Sequence, residues 1–569
     1  MSVWKHEWMP EKRYHAFVLS EEDLKAYPCW YLDAAHSIPP WTPLFIWSWT
    51  HHQRYGDLWA AETMGLPTCR GTDWREVDGC AYMCPILVTD PGEKKVRRER
   101  FKKHLQPFIT DYNQVRETVV RELTRHYDRF KAFDPERATL AELYDHFEEV
   151  FRFNYRVWGR HSWMMYTLFA FYSLFEDLCQ EVMGINDTST LWHRLIRGFD
   201  NKMLEVDRLL WQLSMKAVDR GLDTLIRTTP DEKMLDALQE CETGWQWLHE
   251  KDGFYDFIQA HGWRMPRMME FNCASFVEDP KQMFSFIRQC FEKPQGIGDQ
   301  NSRKEIMKDR LTAEEEILAK FPGSERSWVS KLMGLTQRAG VFAEGHNYYF
   351  EHTSHALMRR AALACAKCLV REGLMEDPED FVFLLPEDFK RNILSMCIDY
   401  NPLIEERKAY YKRYSQRLER PQLIGSLADD PRKAMDHVMA ARDYVMMKLT
   451  VGSQSGLSYD LEADLQGNPA APGLGQGRVC IIHNEKDISK IRSGDILVAV
   501  TTYSSWTPVF PLINGVVLDS GASLSHAAIV GREYNIPVVV QTREATKKLT
   551  DGQQIRLDGS RGAVWIIEG

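Results

Sequence analysis

The sequence predicts a multidomain protein in which a large, mainly α-helical part is followed by a small α/β domain. Its 569 residues exceed what one hydrophobic core organises, so roughly two to four domains are expected. Apolar residues recur at helical spacing between residues 110 and 260, with charges between them. Near the C-terminus the grammar changes. Val516, Val517 and Leu518 form a short apolar run that reads as a strand; Asp519, Ser520 and Gly521 break it. Ser525-His526 then opens an Ala-rich helical segment that closes at Asn535 and Ile536-Pro537.

Residues 1–110 are rich in aromatic residues and proline. Ile38-Pro39-Pro40-Trp41-Thr42-Pro43-Leu44 breaks any helix before it, and Trp47, Trp49, His51, His52 and Trp59 crowd the stretch that follows. Val77-Asp78-Gly79-Cys80-Ala81-Tyr82 reads as a turn into a short strand. Residues 111–450 read as a helical domain. Val115, Val119, Leu123 and Tyr127 repeat every four residues, and Leu140–Phe153 and Trp163–Val182 continue the pattern. The last of these is apolar almost all round. Glu176, Asp177 and Glu181 interrupt its end and basic anchors are missing from its flanks, so it reads as a buried helix rather than a membrane span. Its Met and Phe side chains also suit the wall of an apolar pocket. Glu344-Gly345-His346-Asn347-Tyr348-Tyr349 reads as the start of a long helix running to Val370, with Gly373 as its stop. Cys365 and Cys368, like His352 and His355, fall inside helical pattern and read as buried helix faces, so no metal site is expected. One more helix spans 430–450. The Gly/Ser stretch Gly452–Ser458 marks residues 451–464 as a linker, leaving 465–569 as the last domain.

Composition narrows the classes. A 44% hydrophobic and 27% charged chain is of soluble globular type. A net charge of −10 argues against a nucleic-acid-binding surface spread over the chain. No apolar run long enough for a membrane appears, and Met1–Glu7 lacks the apolar region of a signal peptide. The 12 scattered cysteines read as reduced thiols, so a cytoplasmic protein is expected.

The chemistry centres on His526. A helix N-terminus offers backbone N–H groups and partial positive charge to a phosphate, and Gly521 allows close backbone approach. A histidine there can accept a phosphoryl group and pass it on. From spacing alone, it can equally be a cap or a structural hydrogen-bond donor.

The surrounding residues resemble a known family. Gly521-Ala522, Ser525-His526-Ala527-Ala528-Ile529, Arg532-Glu533 and Ile536-Pro537 are similar to the phosphohistidine (swivelling) domain of the phosphoenolpyruvate-utilising enzymes, with Ala522 in place of a second glycine. Leu465-Gln466-Gly467, Gly494-Asp495-Ile496, Trp506-Thr507-Pro508 and Asp558-Gly559-Ser560 match its flanks. The resemblance implies a helical acceptor domain followed by a small α/β phosphohistidine domain. It implies that His526 is phosphorylated, with Gly521, Ser525 and Arg532 around the phosphoryl group. His261-Gly262-Trp263-Arg264, Glu270 and Glu278-Asp279-Pro280 resemble a signature of the rifampin-phosphotransferase-like branch. That implies Arg264 as a phosphate or phenolate clamp, with His261 and Glu270 at the substrate; a structural Arg264–Glu270 pair is the alternative. The stretch 344–387 resembles the family's acceptor connector, with His346 as candidate base for an acceptor hydroxyl.

No Gly-x-x-x-x-Gly-Lys-Ser/Thr loop and no ATP-grasp-like stretch appears, and no chain follows Gly569 for a phosphoenolpyruvate-binding barrel. The chain therefore looks like the phosphohistidine and acceptor subunit of a phenylphosphate synthase or 4-cresol-phosphorylating enzyme. A separate ATP-binding subunit, using Mg²⁺ with ATP, is expected to charge His526 for transfer to a small phenolic substrate. A non-catalytic phosphohistidine carrier, or a phosphotransferase acting on an antibiotic or another hydroxyl compound, are the alternatives.

Overall fold

Asp78 and Gly79 both take positive φ, 50° and 71°, and reverse the chain between the antiparallel strands Cys69–Val77 and Cys80–Leu87. Two successive left-handed residues match the right-handed twist of the flanking strands, so an Asp-Gly pair suits this position. The hairpin belongs to a computed structural model that describes residues 15–567, apart from 28, 35, 184–193, 268–269, 293–299, 396–397, 418–419, 426–462, 484 and 522–524. The helix expected over 430–450 and nearly all of the 451–464 linker lie outside the described residues.

Two compact units emerge. Unit 1 comprises Met1–Ala170, Met269–Asn272 and Tyr349–Tyr444 in their described parts. Its sheet is four-stranded and antiparallel, in the order Cys69–Val77, Cys80–Leu87, Cys29–Leu32, Leu423–Gly425. Around it lie Pro43–Ser48, Arg54–Met64, Pro91–Lys131, Thr353–Arg371 and Asn401–Ser415. Pro91–Lys131 contains the helix expected from the Val115, Val119, Leu123, Tyr127 repeat; Pro107 and a non-helical Asp111 mark a kink ahead of it. Leu140–Phe153 and Trp163–Val182 are parts of one helix, Leu140–Met183. Its second half buries Met164, Leu168, Phe169, Phe171 and Phe175. Among the described residues no helix is long and apolar enough to cross a membrane.

Unit 2 comprises Phe171–Met268, Cys273–Tyr348 and Val445–Gly569 in their described parts. Helices from Lys202–Asp219 to Gly323–His346 form its first layer. Its eight-stranded sheet has a parallel centre, Leu474–Ile482, Ile496–Ala499, Gly515–Leu518 and Val538–Val540, flanked by antiparallel strands. One apolar core runs from Leu210, Trp247 and Phe284 of the helices to Phe510, Val516 and Val538 of the α/β part.

This division differs from the expectation of one helical domain over 111–450 preceded by a separate 1–110. The helical stretch is shared between the units, and residues 349–425 return to pack with the N-terminal part. Backbone pairing over several hundred residues leaves no local signal. The second difference lies at Glu344-Gly345-His346. These residues end the helix Gly323–His346 and pass into a π-helical turn, Asn347–His352, before Thr353–Arg371 begins. Gly373 takes φ 71° just past that helix, as the stop signal predicted. Cys365 and Cys368 are buried on it.

Gly559 tests the α/β packing. A Cβ there would lie 2.0 Å from the Ala471 carbonyl oxygen and 2.9 Å from the Val538 nitrogen, both backbone atoms. Gly559→Ala is expected to destabilise unit 2 by about 1–3 kcal/mol, the usual cost of overpacking, measured as an earlier urea transition. An unchanged midpoint contradicts the close approach.

Candidate active site

The helix His526–Tyr534 starts directly after Ser525, which takes extended backbone angles as N-cap. Its first intrahelical hydrogen bond runs from Ile529 N to the Ser525 carbonyl, so the amides of His526, Ala527 and Ala528 stand ahead of the hydrogen-bonded ladder. The Ser525 hydroxyl is buried, makes no side-chain cap and has no hydrogen-bond partner among the described residues. Gly521, at φ 115°, brings the loop back towards it; a Cβ there would lie 3.3 Å from the Ser525 Oγ. Ala522 to Leu524 lie outside the described residues.

His526 is half-buried, and its ring stands edge-on to Phe510 at 5.8 Å. Phe510 comes from Ser504–Leu512, a 3₁₀ stretch holding the Trp506-Thr507-Pro508 singled out in the sequence. The helix is held to the sheet by small residues. Ala527 and Ala528 are fully buried, and a Cβ on Gly531 would fall 2.3 Å from Val538 Cγ2. Asn535 ends the helix in the left-handed region, φ 56°. What this geometry can do is hold a phosphoryl group on an imidazole at a helix N-terminus, with a hydroxyl and backbone amides at hand.

Arg532 is not at that end. It sits six residues on, about 9 Å along the axis. It is buried and donates Nη1 to the Ala470 carbonyl at 2.8 Å. The phosphoryl-binding role expected for it gives way to a packing role, because the helix turns its last turn onto the strand Asn468–Ala471. Its neighbour Glu533, which sequence reasoning passed over, accepts the Gly198 amide at 2.9 and 3.0 Å and so ties this helix to the helical layer. Burial pushes the Glu533 carboxyl up to about 7, against the opposing pull of the Gly198 amide and of Arg532, Arg197 and Arg303. Ser505, which donates its hydroxyl to the Pro266 carbonyl, is a second tie.

The expected acceptor-side residues fall in three places. Arg264 is buried in unit 2; it donates Nε to the His261 carbonyl at 3.2 Å and lies over the Phe276 ring at 6.0 Å. Burial holds its guanidinium below the usual range, with Asp207 and Tyr348 acting the other way. His261 Nδ1 is 3.1 Å from the Tyr348 hydroxyl, which donates to the Ala260 carbonyl. His261 and Arg264 thus share one cluster. Glu270 is fully buried in unit 1, where its carboxylate accepts the Thr42 amide at 2.9 Å, the Thr42 hydroxyl at 2.6 Å and the Phe271 amide at 2.7 Å. Arg264 and Glu270 therefore each have partners of their own, and the paired reading is replaced by two separate anchors. His346 is half-buried at the end of its helix, its ring tilted against Phe342 at 5.8 Å.

Comparison with known proteins agrees with this layout. Residues 491–562 match the PEP-utilising enzyme mobile domain, the segment that carries His526. Residues 161–344 match the rifampicin phosphotransferase fourth domain, close to the helical layer of unit 2. In these two parts the chain is similar to PEP-utilising enzymes. It is 26% identical over 95% of its length to chondramide synthase cmdD of Chondromyces crocatus. It is 24% identical over 85% to the uncharacterized phosphotransferase YvkC of Bacillus subtilis (strain 168), and 26% identical over 59% to the rifampicin phosphotransferase of the same organism. The matched stretch spans 14%, 56% and 36% of those proteins' own lengths, under two thirds of each.

Two outcomes are expected. Because the Ser525 hydroxyl makes no hydrogen bond among the described residues, Ser525→Ala should change unfolding free energy by less than about 0.5 kcal/mol, read by urea titration; a larger loss would show a structural role. The second concerns pH. Glu533 keeps its proton up to about 7 when folded and loses it near 4.5 when unfolded. Between those values the folded state binds the extra proton, so stability should fall as pH rises through the window and level off above it. Glu533→Gln carries no such proton and should flatten that slope between about pH 5 and pH 8. A slope unchanged in the variant rules out this residue as its source.

Proposed function

We propose that this protein is a phosphotransferase in which His526 takes a phosphoryl group from a separate ATP-binding subunit and passes it to the hydroxyl of a phenolic compound, giving an aryl phosphate. The observation that carries the reading is His526 itself, at a helix N-terminus beside a Ser525 hydroxyl with no partner among the described residues, within a segment that matches a PEP-utilising mobile domain. Two of the relatives are named phosphotransferases. Charging uses ATP with Mg²⁺ in the partner, where the cation offsets nucleotide charge. In the second step the acceptor oxygen bonds to phosphorus as the nitrogen–phosphorus bond breaks, and the acceptor's proton balances the charge left on the imidazole. The preponderance of aromatic side chains in unit 1 supports a phenolic acceptor. The likeness to rifampicin phosphotransferase favours a second reading, transfer to a larger hydroxyl compound such as an antibiotic.

The test is incubation with the ATP-binding partner, radiolabelled ATP and a panel of phenols. Wild type should take up acid-labile label and transfer it to a phenol, and His526→Ala should take up none. Label on His526→Ala overturns the phosphohistidine. Label on wild type that reaches no phenol overturns the phenolic acceptor and leaves a carrier or a different hydroxyl substrate.

A further inference from the structure

A histidine at a helix start has a fixed backbone and a loose ring, because the torsion that turns an imidazole about its own bond has broad wells. Phosphoryl transfer needs the attacking and leaving atoms roughly in line. The plane of the His526 ring therefore matters as much as its place, and the helix alone does not set it.

Phe510 stands against that ring. The two ring centroids are 5.8 Å apart and the planes meet at 81°, an edge-to-face arrangement that aromatic pairs favour. Phe510 is fully buried, so its phenyl has no room to swing away. It belongs to Ser504–Leu512, a 3₁₀ run of nine residues, all of them buried. Runs longer than about four residues are uncommon in this conformation, whose hydrogen bonds are poorer, so this one is held by its surroundings. The Phe510 carbonyl accepts the Ile513 amide at 3.2 Å, and the Leu512 carbonyl accepts the Gly494 amide at 2.8 Å. The Ser505 hydroxyl donates to the Pro266 carbonyl. Pro508 and Pro511 fix φ on either side of the phenyl.

We propose that Phe510 is the positioning residue for the phosphorylated imidazole: its ring holds the plane of His526, so that the same ring nitrogen is always presented for phosphorylation, and keeps water from that side. The inference rests on the phosphohistidine reading above and adds the residue that orients it. A phenyl suits the task. It carries no hydrogen-bonding group to compete for the imidazole nitrogens or the phosphoryl oxygens, and it displaces the water that hydrolyses a phosphohistidine. Phe510 touches the imidazole and not the reacting phosphorus, so it acts through His526.

The test compares Phe510→Leu and Phe510→Met, which lose the ring, with Phe284→Leu, the same kind of loss at another fully buried phenylalanine of that core. All three should lower the urea midpoint, and only the first two should alter His526. The first readout on the full chain is modification by diethyl pyrocarbonate, followed at His526 by peptide mass spectrometry. Its rate should rise about threefold or more in the Phe510 variants, the factor that the low end of an aromatic pair's worth gives, and stay at the wild-type value in Phe284→Leu. The second is labelling by phosphoramidate, which passes its phosphoryl group to the imidazole with loss of ammonia. By phosphorus NMR wild type should carry the group on one ring nitrogen of His526; the Phe510 variants should give both isomers and lose the group faster. Both isomers on wild type, a rate and isomer pattern unchanged in the Phe510 variants, or the same change in Phe284→Leu would each overturn the proposal. If one Phe510 variant fails to fold, the other decides. A wild-type His526 that takes no phosphoryl group sinks the phosphohistidine reading, and the modification rate then decides the role of Phe510 by itself.

Discussion

The contact on which the α/β half depends is the close seating of one short helix on a parallel sheet. Gly531 against Val538, with Ala527 and Ala528 beside it, leaves no room for larger side chains. That proximity fixes the helix rigidly, so its N-terminus, and with it His526, stands at a defined place at the end of the strand Gly515–Leu518. Under the transfer proposed above, a histidine charged in one place and discharged in another benefits from such a mount. The imidazole keeps its orientation relative to Ser525 and the leading amides whatever the surroundings.

The same helix is engaged at its other end. Arg532 is spent on the Ala470 carbonyl, and Glu533 on the Gly198 amide. The residues of one motif thus divide into a chemical end and an anchoring end, nine residues from first to last. Glu533 is the more consequential anchor, since a carboxyl raised to about 7 by burial gives the contact with Gly198 a protonation state that changes near neutrality.

Much of this was legible in the strand, break and Ser-His-Ala-Ala run, because strand period, a breaking glycine and a helix cap act over a few residues. The Asp78-Gly79 turn and the Gly373 stop were readable for the same reason. Arg532 was misplaced because a motif gives residue order, whereas six residues along a helix separate two side chains by nearly two turns. Arg264 and Glu270, six apart in sequence, suggested a pair; the chain between them crosses from one compact unit to the other.

The sequence by itself determined that a histidine opens a helix after a short strand, and that most of the remaining chain is helical. These are local preferences of backbone and side chain, and they need no knowledge of distant segments. Only the tertiary structure decided that residues 349–425 rejoin the first 170, and that His355 comes to lie against Phe45 and Trp158 while Glu351 is buried near His161. The reason is burial. A glutamate or histidine on a helix reads as a solvated face until the segments that enclose it are known, and those segments lie hundreds of residues away.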